Sequence, residues 1–333
     1  MHDKFIVALE GGKARAVLMG STNFTPEAFT VQANLLHIFE SPQLAKAYAE
    51  RHALLAADPD MPTTTKHSAW AKITDVPGSD VRVIFCPEAG TKRTFLDAVT
   101  AAVKSAKSSV LFCMFTATDA ELLGSIFKAG DSGKVIYGMI NSIPDPDTKP
   151  PKPGKPETAA HKVAVTLYNR SRHERDTLAY DYFDPASAPA GFLPEFKTIN
   201  VSKYSGGKGP PVAVHIHHKF VVIDGDTAHP TIYTGSANFS ANSENKNDEN
   251  VLEIKGNTRL AQCYVAEFMR IYNHYRARAI WAQQHPHAKG KVSAKKTAGA
   301  KHDPLVLKTT RDAWAKGAYT KGTAAFLARS KFL

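Results

Sequence analysis

The chain has 333 residues, of which 43% are hydrophobic, so it is long enough to bury a core in one large domain or two ordinary ones. It has no run of about 18 apolar residues, and its cysteines, Cys86, Cys113 and Cys263, are odd in number and widely spaced, which excludes a transmembrane helix and a disulfide framework. The net charge of +11 suggests a polyanionic partner, but residues 285–333 hold nine Lys and two Arg against two Asp, so the rest of the chain is nearly neutral.

The N-terminal segment, 1–58, has the pattern of two strands followed by a helix. Apolar runs at 4–9 and 15–20 flank a Gly-Gly turn and predict a hairpin. Residues 41–58 predict a helix, because Ser41 is a good N-cap and apolar residues recur on one face. The segment 59–68 is polar and contains proline, so we expect a first unit at 1–58 and a linker at 59–79.

From residue 80 onward, strand patterns alternate with helix patterns, as in an α/β fold with mixed sheets flanked by helices. Residues 143–158 are too rich in proline for either element and predict a surface insertion. We expect a second unit at 80–284 and a basic tail at 285–333 with a short helix near 310–319. Strands are predicted at 80–87, 110–117, 134–141 and 162–169, and helices at 93–109, 119–130 and 257–279.

An internal repeat connects the start of the chain with residues 217–240. In both copies the pattern Gly-Ser-x-Asn begins at the same distance after the histidine, without a gap. Such a repeat predicts two similar lobes about a pseudo-twofold axis. In each copy a histidine and a lysine alternate on one face of a strand where a core strand would carry apolar residues, so we interpret them as functional. The matched polar residues are His2 with His217, Lys4 with Lys219, Ser21 with Ser236, and Asn23 with Asn238.

The pattern His-x-Lys-x-x-x-x-Asp, followed by Gly-Ser-x-Asn, resembles the signature of the phospholipase D superfamily, the HKD phosphodiesterases. The second copy has every position of this signature, including Asp224, whereas the first copy has Leu9 where the aspartate is expected. The resemblance implies that 80–284 is one whole lobe of a phospholipase D-like fold. It implies that 1–58 is the C-terminal part of a first lobe, so we expect that lobe to be incomplete in this chain.

The residue types suit cleavage of a phosphodiester. A neutral histidine can attack phosphorus and a charged one can donate a proton, while Lys4 and Lys219 can neutralise the non-bridging oxygens. The resemblance implies that His2 is the nucleophile and His217 the general acid. Glu249 is predicted to orient an imidazole, and its counterpart in the first copy is expected at Gln32 or Ala33, neither of them acidic. The expected catalytic residues are His2, Lys4, His217, Lys219, Asp224 and Glu249, and the expected substrate-binding residues are Ser21, Asn23, Ser236 and Asn238.

Several alternatives are compatible with these residues. His215 and His217 on one strand face suggest zinc, but Lys219 shares that face and would repel a cation, so we expect neither a metal nor another cofactor. The near-neutral body and the doubled motif favour a phospholipid or another small diester as substrate, whereas the basic tail favours DNA or RNA, or an anionic membrane surface. A non-catalytic phosphate-binding module, an inactive fragment and a homodimer that pairs through the second motif also fit. Unpaired cysteines favour a reducing compartment such as the cytoplasm.

Overall fold

A computed structural model describes residues 2–30, 32–141, 157–172, 178–180, 215–284 and 310–321, together with residues 323, 326 and 329. The strands in this part of the chain are β1 (Phe5–Glu10), β2 (Lys13–Gly20), β3 (Gln32–Ala33), β4 (Leu36–Phe39), β5 (Ala71–Ile73), β6 (Asp80–Cys86), β7 (Ser109–Met114), β8 (Val135–Ile140), β9 (Leu178–Tyr180), β10 (His215–Ile216), β11 (Lys219–Ile223), β12 (Thr231–Gly235) and β13 (Glu249–Lys255). The helices are α1 (Pro26–Thr30), α2 (Pro42–Ala56), α3 (Met61–Thr65), α4 (Thr94–Lys104), α5 (Ala120–Asp131), α6 (Ala159–Arg172), α7 (Ala241–Asn245), α8 (Thr258–Gln284) and α9 (Arg311–Tyr319).

The described residues form a mixed α/β fold with three sheets. The small sheet has the antiparallel order β1-β2-β4, and the large sheet has the order β5-β6-β13-β12-β11-β7-β8-β9. A short parallel pair, β10 with β3, joins the two. The hairpin of β1 and β2 turns at Gly11 and Gly12, whose φ values of 55° and 77° lie in the left-handed region that glycine adopts without strain.

Two apolar clusters hold the sheets together. One contains side chains of β2, α2 and α8 together with one face of the large sheet, so it lies between the two sheets. The other lies under α4, α5 and α6 on the opposite face of the large sheet, where Val221 and Ile223 of β11 are buried. Because β11 is covered on both faces, a polar side chain on it is retained only with partners.

The sequence repeat is a structural repeat. Strands β1, β2 and β4 correspond to β11, β12 and β13, and the register pair Phe5–Met19 recurs as Phe220–Thr234, with the same offset along the chain for both members. Gly20 and Gly235 occupy matching places, where an added Cβ would lie 2.1 Å and 2.2 Å from the carbonyl oxygens of Leu35 and Asn250. Only glycine allows this close approach, which explains why both copies have Gly before Ser.

Most of the predicted elements are confirmed, including the helix after Ser41, whose hydroxyl accepts the N–H of Leu44, and the short helix near the C-terminus. The strand expected at 162–169 is wrong, because these residues lie in α6. Val163, Ala164 and Leu167 are buried whereas Val165 is only partly buried, and burial of adjacent residues together with the residue four positions on is the pattern of a helix and not of a strand. Residues 142–156, which include most of the proline-rich insertion, and 285–309 of the basic tail lie outside the described residues.

The segment expected as a linker contains regular structure. The Asp60 side chain caps α3 by accepting the N–H of Thr63, and β5 pairs with β6 at the edge of the large sheet. Residues 71–73 are therefore part of the large sheet and not a free connection. No helix within the described ranges is both long enough and apolar enough to cross a bilayer.

Candidate active site

The two copies of the repeat meet where the strands that carry the histidines begin. The backbone N–H of His2 donates to the carbonyl of Asp248 at 3.0 Å, and the N–H of His217 donates to the carbonyl of Ala33 at 2.9 Å. Strand β10, just before His217, pairs in parallel with β3 of the first copy. Each histidine is therefore held beside a strand of the other copy, and both lie at one junction between the small and large sheets.

The first half-site pairs His2 with a buried carboxylate. His2 Nδ1 lies 2.7 Å from Oε2 of Glu249, whose side chain has no exposed surface, while the histidine side chain is 29% exposed. The hydroxyls of Ser236 and Ser243 donate to the same carboxylate at 2.7 Å and 3.0 Å, and the Asn247 amide donates at 3.3 Å. A carboxylate satisfied in this way keeps the proton of the imidazole on Nδ1 and leaves Nε2 available for chemistry.

The second half-site has the same geometry with a neutral acceptor. His217 Nδ1 lies 2.8 Å from Oδ1 of Asn34, and the hydroxyl of Ser21 donates to that oxygen at 3.0 Å. The Asn34 amide nitrogen donates to the carbonyl of Ala28 at 3.1 Å, which fixes which end of the amide faces the ring. His217 therefore also carries its proton on Nδ1, but the acceptor at that atom is a neutral amide oxygen and not a carboxylate.

The counterpart of Glu249 in the first copy is Asn34, and the expectation of Gln32 or Ala33 is wrong. Ala33 instead supplies a backbone carbonyl to His217, and Oε1 of Gln32 lies 3.4 Å from the Asn34 amide nitrogen. The constant offset that relates the two hairpins leads from Asn34 directly to Glu249 without a gap. Carrying that offset beyond Gly-Ser-x-Asn would have identified Asn34 from the sequence.

The two motif lysines are buried in the same region. Lys219 is 1% exposed, and its Nζ donates to the carbonyl of His217 at 2.9 Å, while Nζ of Lys4 donates to the carbonyl of His2. Burial, together with the nearby charge of Lys4, lowers the pKa of Lys219 to about 7, against the opposing effect of the Glu249 carboxylate. Burial likewise lowers the pKa of Lys4 to about 8, against the opposing effect of Glu249. The two lysines and Glu249 thus form one coupled charge cluster, which a bound anion would stabilise in its fully protonated state.

The serines of the two motifs position other side chains. Ser21 and Ser236 are buried, and their hydroxyls donate to Asn34 and Glu249 while accepting the backbone N–H of Leu35 and Asn250, both at 3.0 Å. Because these hydroxyl groups are already engaged in holding the acceptors of the histidine rings, we assign them to orientation of the histidines in place of the expected contact with substrate.

The two motif asparagines are half-buried in the loops that follow β2 and β12. The backbone N–H of Asn238 donates to the hydroxyl of Ser243 at 3.1 Å, which ties its loop to the side chain that holds Glu249. The side-chain oxygen of Asn238 is buried without a hydrogen-bond partner among the described residues. Asn23 and Asn238 therefore stay the candidates for amide contacts with a bound phosphate.

Asp224 does not join the histidines and lysines. It lies one residue after β11 ends, whereas Lys219 lies where that strand begins, so about 17 Å of extended chain separate them. Its carboxylate accepts backbone N–H groups of Lys107, Ser108 and Ser109 at 2.7–3.2 Å, and its φ is 54°. These contacts are those of an anchor for the α4–β7 loop, and we propose this role for Asp224 in place of the expected catalytic one. Leu9, at the matching place in the first copy, is 62% exposed.

An aromatic ring that the motif analysis missed borders the site. Phe115 follows β7, and its ring centroid lies 4.8 Å from that of His217 and 5.1 Å from Nζ of Lys219. Its backbone N–H donates to the carbonyl of His218 at 2.9 Å, which fixes it beside the motif. Because it comes from a strand outside the repeat, only the pairing of β7 with β11 reveals it.

The histidine arrangement considered for zinc, His215 with His217, lies partly outside the described residues. No three His, Cys, Asp or Glu side chains in those ranges come together as a metal-binding group. His217 faces Asn34, whereas the ring of His218 is buried on the opposite face of the strand, 5.7 Å from that of Phe220. The side chain of His215 lies outside the described residues.

A family model matches just over half of the chain. The family is described as "Cardiolipin synthase, PLD-like domain", and the match covers residues 99–272, which include His217, Lys219 and Glu249. No curated protein matches the chain.

Solved structures similar to this chain include the proteins Nuc and NucT and a phosphatidylserine synthase. Nuc of Salmonella typhimurium, a phospholipase D family member, is 19% identical over 59% of this chain and 95% of its own, with a TM-score of 0.36. NucT of Helicobacter pylori is 13% identical over 57% and 95%, with a TM-score of 0.37. Phosphatidylserine synthase of Haemophilus influenzae Rd KW20 is 10% identical over 78% and 60%, with a TM-score of 0.47. At these identities and TM-scores, the likenesses carry no argument about activity.

Proposed function

The chain belongs to the family described as cardiolipin synthase, PLD-like domain, and on that premise we propose that it cleaves phosphodiester bonds through a phosphohistidine intermediate without a metal ion. The observation that carries this proposal is the crosswise pairing of the two motif histidines. Each ring is held at Nδ1 by a side chain of the other copy, and the two motif lysines lie beside them. Two imidazoles that are each held at Nδ1, together with two cations, are the groups that this reaction needs.

The proposed reaction proceeds in two displacements at phosphorus. In the first, Nε2 of one neutral imidazole attacks phosphorus, the bond to the leaving oxygen breaks, and the other imidazolium gives that oxygen a proton. The products are an alcohol and a phosphohistidine. In the second, the now neutral imidazole takes a proton from water, the hydroxide oxygen attacks phosphorus, and the nitrogen–phosphorus bond breaks. A phosphate monoester is released and both histidines return to their starting states, while Lys4 and Lys219 neutralise the non-bridging oxygens throughout.

The unequal acceptors support assigning the nucleophile to His2 and the general acid to His217. Phosphorylation of Nε2 while Nδ1 keeps its proton makes the ring cationic, and the Glu249 carboxylate 2.7 Å away stabilises that cation. The Nδ1–H of the His217 imidazolium donates to the neutral amide oxygen of Asn34, which stabilises the cation less than a carboxylate does, so the ring gives up its proton to the leaving oxygen at lower cost. This assignment agrees with the roles that the phospholipase D resemblance implies.

The substrate class that we favour is a phospholipid or another small diester. The family description names a cardiolipin synthase, and Phe115 places an apolar surface next to His217. The competing candidate is DNA or RNA, which is favoured by the nine lysines and two arginines of residues 285–333. An assay in EDTA with phosphatidyl vesicles in one arm and plasmid DNA in the other separates the two classes. Cleavage of neither by the full chain would leave the phosphate-binding module as the better account.

The proposed intermediate can be trapped on the named histidine. We expect acid-labile, base-stable label on His2 after a rapid quench of the chain with bis(p-nitrophenyl) phosphate or a labelled phosphatidyl substrate. A His217→Asn variant should still form the adduct with the p-nitrophenyl ester, whose leaving group needs no proton, and should fail with the alkyl ester. A His2→Asn variant should form no adduct with either.

The exposed histidine His52 of α2 provides a matched control, because a His52→Asn variant should behave as the unchanged protein. Label on His217 with loss of labelling in His217→Asn alone would reverse the assigned roles. Turnover without label on either histidine would refute the phosphohistidine route.

A further inference from the structure

A buried ion network lies directly behind the His2 half-site. Arg51 of α2 is 3% exposed, and its guanidinium contacts Oδ2 of Asp3 at 3.3 Å and Oδ1 of Asp248 at 3.1 Å. It also donates to the backbone carbonyl of Cys86 and lies 5.6 Å from the ring centroid of Phe85. A single guanidinium thus joins the small sheet to two strands of the large sheet.

The network touches both neighbours of the histidine–carboxylate pair. Asp3 lies between His2 and Lys4, and its Oδ1 accepts the Asn250 amide N–H at 2.8 Å. Asp248 precedes Glu249, and its carbonyl accepts the backbone N–H of His2 at 3.0 Å. The residues that flank His2 and those that flank Glu249 are therefore held together by the same charged group.

The other half-site lacks such a network in the described residues. The offset between the two copies gives each residue of the network a counterpart: His218 for Asp3, Ala33 for Asp248 and Leu35 for Asn250. Near His218 the neighbouring helix α8 supplies the charged side chain of Glu267, whereas near Asp3 the neighbouring helix α2 supplies that of Arg51. Within those residues, His218 and Glu267 do not form an ion pair of the kind that Arg51 makes. If the arginine served only to join the sheets, it could equally have been placed beside either half-site. Instead it lies beside the pair of His2 and Glu249, which contains a carboxylate, and not beside the pair of His217 and Asn34.

We infer that Arg51 is a positioning residue, which holds Asp3 and Asp248 together so that His2 Nδ1 stays against Glu249 and Nε2 faces the substrate. The inference rests on the proposed function, because it assigns the arginine to the reaction of His2. A displacement of a reacting group by about 1 Å is enough to cost about 100-fold in rate. Arginine suits this task because its planar fork reaches several acceptors at once, which a lysine cannot do.

The main test is the Arg51→Lys variant, which keeps the positive charge but cannot contact all three acceptors. We expect kcat on a phosphodiester to fall about 10- to 100-fold with little change in KM, because the histidine is misplaced and the phosphate contacts remain. We also expect the downfield proton resonance of His2 Nδ1–H, which reports its short contact with Glu249, to shift upfield or broaden. Arg82→Lys is a matched control, since Arg82 forms a two-point ion pair with Glu253 on β13 away from the histidines.

A second variant guards against loss of the fold. Arg51→Met combined with Asp3→Asn and Asp248→Asn removes all three charges, so no unpaired charge is left buried, and it should fold with the His2 signal altered. If Arg51→Lys lowers thermal stability but leaves kcat and the His2 resonance unchanged, the arginine is structural and the inference is refuted. If the unchanged protein cleaves no diester, the proposed function fails, and the resonance still decides whether Arg51 positions His2.

Discussion

At the scale of single residues, the two histidines of one repeat have acceptors of different charge. Glu249 and Asn34 occupy equivalent places and accept from equivalent serines, yet one is an anion and the other a neutral amide. Because an adjacent anion stabilises an imidazolium and an amide oxygen does so much less, the pair is biased towards two different tasks. The asymmetry depends on one side chain at one position, and a single substitution can therefore test it.

The Asn34→Asp variant should make the two half-sites alike. A carboxylate against Nδ1 of His217 raises the pKa of that ring, because an adjacent anion stabilises its charged form. We expect the limb of the pH–rate profile at higher pH to move upward, and kcat with an alkyl leaving group to fall. The measurement is kcat/KM between about pH 5 and 9. Glu249→Gln is the reciprocal variant and should move the other limb downward, and an unmoved profile in Asn34→Asp would contradict the account.

The buried Lys219 should lower the free energy of unfolding near neutral pH, although the proposed reaction requires it. Burial lowers its pKa from 10.5 to about 7, so between those values the unfolded chain binds a proton that the folded chain does not. Its contribution to the free energy of unfolding is therefore lowest below about pH 7 and recovers as the pH rises towards 10.5. We expect Lys219→Met to abolish turnover and to raise the free energy of unfolding at pH 7 by on the order of 2 kcal/mol.

The measurement for this variant is urea unfolding at several pH values. The advantage of Lys219→Met should shrink between pH 7 and pH 10, where lysine regains its stability contribution. Lys72→Met on the edge strand β5 is the control, because that lysine is 67% exposed and should change stability little. If the free energies of unfolding of Lys219→Met and the unchanged protein differ by the same amount at every pH in this range, desolvation of the lysine is not the cause of the difference.

At the scale of elements, the aspartate of the second motif connects β11 to the loop before β7. Its carboxylate accepts the N–H groups of three consecutive residues, 107–109, and its neighbour Asp226 accepts the hydroxyls of Ser108 and Ser109. Burial raises the pKa of Asp226, but hydrogen bonds from both serines and from the backbone together outweigh it, so the pKa is lowered overall. The two aspartates therefore stabilise the end of the strand that lies away from the histidines.

The Asp224→Asn variant should separate this structural role from catalysis. Asparagine tolerates the left-handed φ of 54°, so the change removes charge from the anchor without adding backbone strain. We expect a loss of about 1–3 kcal/mol in the free energy of unfolding, with kcat within about twofold of the unchanged protein. Leu9→Asp restores the missing signature residue of the first copy and should change neither quantity appreciably. A loss of about 100-fold in kcat for a folded Asp224→Asn protein, the scale expected of a group in the reaction itself, would return Asp224 to the catalytic residues.

At the scale of the whole molecule, the site exists only where the two sheets meet. His2 and Lys4 lie just before β1 of the small sheet, whereas Lys219 and Glu249 lie in the large sheet and His217 lies just before β11. The apolar cluster between the sheets and the hydroxyl of Tyr48, which donates to Asn250 at 3.0 Å, keep this junction in register. The protonation of the histidines and lysines at this junction is consequently shared among groups from both copies of the repeat and is not a property of one motif alone.

The pH dependence of activity should reflect that coupling. One histidine must be neutral and the other charged at the start of the cycle, so kcat should rise and fall with pH. The lowered pKa values of Lys219, about 7, and Lys4, about 8, mean that both lose their charge as the pH rises through these values. We therefore expect KM for an anionic diester to increase above about pH 8, which initial-rate kinetics in EDTA would measure. A flat profile of both parameters between about pH 5 and 9 would contradict the paired-histidine mechanism.

The features that the sequence could establish by itself are local or periodic. The His-x-Lys and Gly-Ser-x-Asn spacing identified both hairpins, because register in a tight hairpin is set by the turn and the strands beside it. Ser41 and the period of apolar residues identified α2, and the overall alternation of patterns identified an α/β fold. The strand expected at 162–169 failed because its period-two pattern was too short to distinguish from a helix whose apolar residues are four apart.

Only the tertiary structure decided which groups meet. The pairing of His2 with Glu249 spans 247 residues and that of His217 with Asn34 spans 183, and no local pattern encodes a contact between strands of two different sheets. The same holds for Phe115 beside His217, for Arg51 between Asp3 and Asp248, and for Asp224 at the far end of β11. Motif spacing specifies what a strand carries, whereas the packing of buried faces between the sheets selects the partner of each polar side chain, because a buried polar group is stable only where a complementary group meets it.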